Sequence, residues 1–167
     1  EINSLSQREG ATVFMTLLAA FKILLSRYSG QEDICIGTSI ANRTQMELED
    51  MIGYFVNTLA LRTQVSESHT FTELVQAVKQ TTLGAYDHQQ VPIQDVVERV
   101  VHTRDMSSTP LFKVLFVLQN APNAEDLQLE GLSLTPHQDQ VYATSKFDIA
   151  MTLEERETGF SVDINYS

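Results

Sequence analysis

The stretch Leu111–Leu118, LFKVLFVL, is apolar nearly throughout. Successive side chains of a strand point to opposite faces, so a run that is apolar at odd and even positions alike reads as a central strand buried on both faces. The rest of the chain must then supply flanking strands and covering helices. Residues 11–28 give the clearest helix, with Phe14, Leu17, Leu18, Phe21, Leu24, Leu25 and Tyr28 recurring at three- and four-residue steps and Gly30 as the stop. Asp33–Ser39 reads as a short buried strand, Ala41–Asp50 as a loop or short helix, and Tyr54–Gln64 as a second strand. Thr70 and Glu73 form a capping-box pattern ahead of a helix whose apolar face is Phe71, Leu74, Val75, Val78, Leu83 and Tyr86. Pro92 suits the first turn of a further helix through about Val101. Beyond the central strand, Gln119–Asp126 is loop by composition and Leu127–Pro136 a weakly alternating strand. Lys146–Glu154 and Phe160–Tyr166 flank the hairpin signal Glu157-Thr158-Gly159. The order α-β-β-α-α-β-β-β-β predicts an α/β (α+β) domain, a mixed sheet covered by helices.

At 167 residues the chain is long enough for one domain with a real core. Its 22 acidic residues outnumber 11 basic ones, for a net charge of −11. That balance argues against nucleic acid as a partner, since phosphates need clustered Lys and Arg, and equally against an anionic membrane surface. The longest apolar stretch, Val13–Leu25, is interrupted by Thr16 and Lys22 and is too short to span a bilayer. The opening EINSLSQREG lacks the regions of a signal peptide, and the expected location is cytoplasmic. Without an initiator Met, and ending inside the strand pattern SVDINYS, the sequence reads as a piece of something longer.

Chemistry is sparse. Cys35 is the only cysteine and lies in the apolar run ICIG, the setting of a buried, inert thiol rather than a nucleophile. His69, His88, His102 and His137 show no metal-ligand spacing, and each sits in a polar context that suits a surface or capping role. No GxSxG, phosphate-binding glycine loop or CxxC occurs. The expectation is no metal site and no catalytic set within this chain. One oddity remains: IGYFVNTLALR at 52–62 places Asn57 and Thr58 side by side in an otherwise apolar strand. A buried polar group without a partner costs roughly 1–3 kcal/mol. Asn57 therefore either bonds to a neighbouring loop or lines a wet cavity through which a substrate passes.

Three stretches carry a family resemblance. IGYFVNTLALR at 52–62 resembles the fifth core motif of the condensation domains of nonribosomal peptide synthetases. HQQVPIQDVVE at 88–98 resembles their sixth and RDMSSTPLFKVLFVLQN at 104–120 their seventh. GATVFMTLLAAFKILLSRYSGQEDICIGTSIANR at 10–43 and SKFDIAMTLEE at 145–155 add to the match, which covers nearly the whole chain in order. Departures are Pro92-Ile93-Gln94 for Pro-Phe-Glu and Ser108-Thr109 for Arg-Asn ahead of Pro110. The family's HHxxxDG motif, bearer of its catalytic histidine, is absent from this sequence.

The resemblance implies the C-terminal subdomain, residues 1–167, of a two-subdomain condensation domain whose halves are chloramphenicol-acetyltransferase-like and enclose a tunnel. The implied activity is amide formation between carrier-bound aminoacyl or peptidyl thioesters, with the isolated chain inactive. Partners would be the N-terminal half and the donor and acceptor peptidyl carrier proteins. Their phosphopantetheine arms act as substrate tethers, and no cofactor is bound directly. Asn57, Thr58, Gln119 and Asn120 would face the tunnel, unless Asn57 ties the loop at 41–50 to the sheet. Arg62 would pair with a carboxylate, Arg104, Asp105 and Pro110 would fix how the chain enters the central strand, and Arg99 and Arg104 would serve carrier docking. An ester-forming or CoA-dependent acyltransferase of the same fold, and a non-catalytic docking or scaffold piece, are the alternatives.

Overall fold

The computed structural model describes residues 1–101, 111–119, 144–156 and 159–167. Its elements are α1 (Ile2–Arg8), α2 (Val13–Ser29), β1 (Asp33–Ile40), a 3-10 turn at Met46–Leu48, β2 (Asn57–Gln64), α3 (Phe71–Asp87), α4 (Ile93–Val100), β3 (Val114–Gln119), β4 (Ile149–Arg156) and β5 (Gly159–Tyr166). The strands form one mixed sheet in the order β2-β1-β3-β4-β5. β1 is antiparallel to β2, β3 lies parallel to both β1 and β4, and β4 and β5 pair antiparallel from Ile149↔Tyr166 to Arg156↔Gly159.

Local chemistry sets the helix ends. Thr12 caps α2, accepting from Met15 N, and Gly30 ends it in the left-handed conformation with φ 68. The Thr70–Glu73 capping box forms as the spacing predicts: Thr70 Oγ1 accepts from Glu73 N and Glu73 Oε2 accepts from Thr70 N at 2.8 Å. Those bonds hold the Glu73 carboxyl below its ordinary range. Pro92 serves as N-cap of α4 rather than as its first helical residue.

The core lies between α2, α3 and one face of the sheet. Ile34 and Ile36 of β1, Leu59 and Leu61 of β2, Phe116 of β3 and Leu153 of β4 meet Met15, Leu18 and Phe21 of α2 and Leu74, Val75 and Val78 of α3. Phe21 stacks on Phe116 with ring centres 5.5 Å apart. On the opposite face the Phe112 ring lies over Gly37, where a Cβ would overlap it, and Phe112 stacks on Phe147.

Three expectations change here. The central strand starts at Val114, not Leu111, and ends at Gln119. Leu111 cannot join it, having a positive φ of 76. Only Phe116 of this strand is fully buried, because α2 and α3 cover its side of the sheet, whereas Leu115 and Val117 on the other side stay half-buried. The second strand starts at Asn57 rather than Tyr54, and Tyr54 and Val56 are exposed, so Asn57 and Thr58 open the strand instead of interrupting it. A first helix, α1, precedes the anticipated one and is fastened to it by a 2.8 Å bond between the Ser6 and Thr16 hydroxyls. The strand expected at 127–136 and the turn residues Glu157 and Thr158 lie outside the described residues.

Lys22, which sequence alone marks as a break in an apolar run, is fully buried. Its methylenes fill the core while Nζ donates to the carbonyls of Ile34 at 2.9 Å and Leu61 at 2.7 Å, bridging β1 and β2. Burial lowers its pKa to about 8, with Cys35 and Asp33 pulling weakly the other way.

Candidate functional site at one end of the sheet

β1 and β3 run parallel with Gly37 opposite Leu115, so their carboxyl ends, Ile40 and Leu118, lie at the same level. The first residues of β2 lie there too, Asn57 opposite Ile40 and Thr58 opposite Ser39. In open sheets of this kind the crevice at the carboxyl ends of parallel strands is where ligands bind. A cavity of about 470 Å³ occupies that position, lined by Phe14 of α2, Thr38, Ser39 and Ile40 of β1, the Ala41–Arg43 turn, Tyr86 of α3, Gln89 and Leu118.

Asn57 is engaged at all its polar ends. Nδ2 donates to the carbonyls of Gln89 and Val91, each at 2.8 Å, and Oδ1 accepts from Thr58 N at 2.8 Å. The amide thus ties β2 to the segment between α3 and α4, and not to the loop at 41–50, which the sequence offered as its structural partner. Gln89 is common to this clamp and to the cavity wall.

The 41–56 segment is held by Arg43 instead. Its Nη1 donates to the carbonyls of Leu48, Glu49 (3.4 Å) and Met51 (2.8 Å), and the guanidinium sits 4.5 Å from the centre of the Phe55 ring. The result is a closed loop that presents Met46, Met51, Ile52, Tyr54 and Val56 to solvent.

The remaining expected residues fall as follows. Gln119 is the exposed last residue of β3 at this same end of the sheet, but β1 separates it from Asn57 and Thr58, and none of the three lines the cavity. Arg62 lies elsewhere, pairing across the strands with Asp33 through Nε at 2.9 Å to Oδ1 and Nη2 at 2.5 Å to Oδ2. That bond lowers the Asp33 pKa and raises that of Arg62. Arg99 is exposed in the last turn of α4. Asn120, Arg104, Asp105, Pro110, His102 and His137 lie outside the described residues. His88 caps the end of α3, and His69 precedes the N-cap of the same helix. Cys35 is half-buried, and burial pushes its thiol pKa up, away from a nucleophile's. Among the described residues no group of His, Cys, Asp and Glu could hold a metal ion, and no single helix is long and apolar enough to cross a membrane.

Sequence reading did not mark Thr38, Asn42, Arg43, Tyr86 or Gln89. The available signal was the polar run after β1: an Asn followed by an Arg just beyond a strand is suited to a left-handed turn, and Asn42 adopts φ 53.

Comparison with known proteins gives the same picture. The family model described as Condensation domain matches residues 1–167. A linear gramicidin synthase of Brevibacillus parabrevis is 45% identical over 168 residues, covering 100% of this chain and 3% of that protein. Malpinin synthetase of Mortierella alpina is 46% identical, over 99% of this chain and 2% of its own length. The chain therefore spans a small part of these curated relatives. Among solved structures, the X-domain from teicoplanin biosynthesis superposes with TM-score 0.84 at 26% identity, over 99% of this chain and 38% of that one. The condensation domain of the monacolin K polyketide synthase MokA gives 0.78 at 25%, over 96% and 37%. The chain belongs to the condensation-domain family of nonribosomal peptide synthetases.

Proposed function

We propose that this chain forms one wall of the substrate tunnel of a condensation domain that joins carrier-bound aminoacyl or peptidyl thioesters into amides. The observation that carries the reading is the cavity at the carboxyl ends of β1 and β3, which lies at the end of the sheet where Asn57 and Thr58 open β2 and Gln119 closes β3. The reaction is attack of an amine on a thioester carbonyl: the C–N bond forms, the C–S bond breaks, the thiol leaves and the amine loses a proton. Its main needs are placement of two tethered reactants and a proton acceptor for the amine. The described residues offer surface for the first and no poised base for the second, which the N-terminal half supplies through its histidine. Phosphopantetheine arms bring both reactants, so the chain needs no cofactor of its own. The exposed apolar side chains of the 46–56 loop fit a surface that the N-terminal half covers. Arg99, with Arg104, serves the acceptor carrier, since a chain of net charge −11 draws an acidic carrier only through local basic spots.

The test is steady-state condensation in the parent protein with Arg99 and Arg104 both changed to Ala. The apparent KM for the acceptor carrier rises with kcat retained. An unchanged KM would move docking elsewhere, and failure of the unaltered parent to form any amide would overturn the assignment.

A further inference from the structure

The cavity at the carboxyl ends of β1 and β3 holds one buried side-chain oxygen without a partner and two hydroxyls that make no hydrogen bond to a described residue. Thr38 is 2% exposed, lines the cavity and makes no side-chain hydrogen bond to a described residue. Asn42, held in the left-handed conformation, lines it too, and its Oδ1 is the one buried side-chain oxygen or nitrogen without a partner among the described residues. Tyr86 brings a half-buried phenol that is likewise unpaired with any described residue. Buried polar groups are nearly always satisfied, and an exception calls for a ligand, an ion or water. Here one such atom, Asn42 Oδ1, shares a space with the Thr38 and Tyr86 hydroxyls, and the apolar wall of that space is Phe14, Ile40 and Leu118.

Charge narrows the class of occupant. Arg43 is the only charged residue among the described residues of the lining, in a chain whose total is −11. An ammonium group entering the cavity would find a positive charge on a lining residue and no carboxylate among the described lining residues to offset it, which disfavours it. The hydroxyls of Thr38 and Tyr86 can donate or accept, and Asn42 Oδ1 awaits a donor. A hydrogen-bonding tip on an apolar body satisfies both the polar groups and the wall.

We infer that this cavity is a side-chain pocket, which takes a group with an apolar body and a hydrogen-bonding, non-cationic tip, such as a phenol, and rejects ammonium side chains. Only the identification of that group as the side chain of an aminoacyl substrate rests on the proposed function. The pocket would then give the tunnel selectivity at the step where two tethered substrates meet.

Equilibrium binding of N-acetyl-tyrosinamide and N-acetyl-lysinamide to the parent protein tests the pocket without any turnover. The tyrosine probe binds about tenfold or more tightly than the lysine probe, and Thr38→Val or Tyr86→Phe weakens it by a factor of roughly 3–10, the loss of one hydrogen bond. The two variants are read separately, each with its melting curve, so that a folding defect in one leaves the other to decide. Equal binding of the two probes, or tyrosine-probe binding that neither substitution changes, would overturn the inference. A pocket filled by water alone would show as no binding of either probe and would overturn it as well. Probe discrimination that survives in a parent protein unable to condense would support the pocket while contradicting the proposed function.

Discussion

Asn57 holds the main-chain carbonyl of Gln89 at 2.8 Å, a bond between residues 32 apart in sequence that fixes the start of β2 against the end of α3. The same Nδ2 reaches Val91 O, so one amide anchors the turn that leads into α4. Removing it leaves two carbonyls and Thr58 N without their partner. Asn57→Ala is therefore expected to destabilise the protein by about 1–3 kcal/mol. Thermal melting of the parent protein checks this, and an unchanged melting temperature would refute the clamp. Single-turnover condensation on the same sample separates the tunnel role: if Asn57 also lines the tunnel, activity per folded molecule falls too.

Lys22 gives the fold a pH dependence of unusual sign. Its pKa is lowered in the folded state from 10.5 to about 8, chiefly by burial. Below about pH 8 the lysine is charged in both states and the cost of burying the charge stands in full. Between about pH 8 and 10.5 the unfolded chain holds more protons than the folded one, so stability rises with pH. A shift of this size corresponds to a gain of about 3 kcal/mol. The gain is expected in the wild type and not in Lys22→Met. Denaturant unfolding of both proteins across pH 7–10.5 reads it as the difference between their curves, and a flat difference would contradict the burial of a charged Lys22.

Gly37 is required by contact rather than by backbone conformation. A Cβ there would overlap Phe112 Cε2 and lie 2.5 Å from two further ring atoms. Gly37→Ala is expected to cost about 1–3 kcal/mol through displacement of that ring and of Phe147 stacked on it. Phe112→Leu in the same chain recovers part of the loss, and a double-mutant cycle measures the coupling. Strict additivity of the two changes would show that the ring is not what Gly37 accommodates.

What the sequence disclosed follows the range of each interaction. The capping box at Thr70 and the glycine stop at Gly30 act within a few residues, and both are found where spacing places them. The mixed sheet covered by helices was legible from the alternation of periods. The two-sided burial of LFKVLFVL was not, because the cover of each face is a tertiary fact: Phe116 meets α2, while Leu115 and Val117 face a side closed over only in part. Lys22 looked like an interruption because its partners, Ile34 O and Leu61 O, are 12 and 39 residues away. The site shows the same division. Asn57 announced itself as a polar residue in an apolar run, yet its true partners belong to the Gln89–Val91 segment. Thr38 and Tyr86 gave no signal, since one reads as an ordinary strand residue and the other as part of a helix's apolar face.

The central claim is that this chain shapes a condensation site whose proton-transfer group lies in another part of the protein. Its most direct test compares the purified 167-residue chain with the parent protein, each mixed with donor- and acceptor-loaded carrier proteins under single-turnover conditions. The parent is predicted to form the amide-linked product, and the isolated chain to remain at the uncatalysed rate. Product formed by the isolated chain well above that rate would contradict the account.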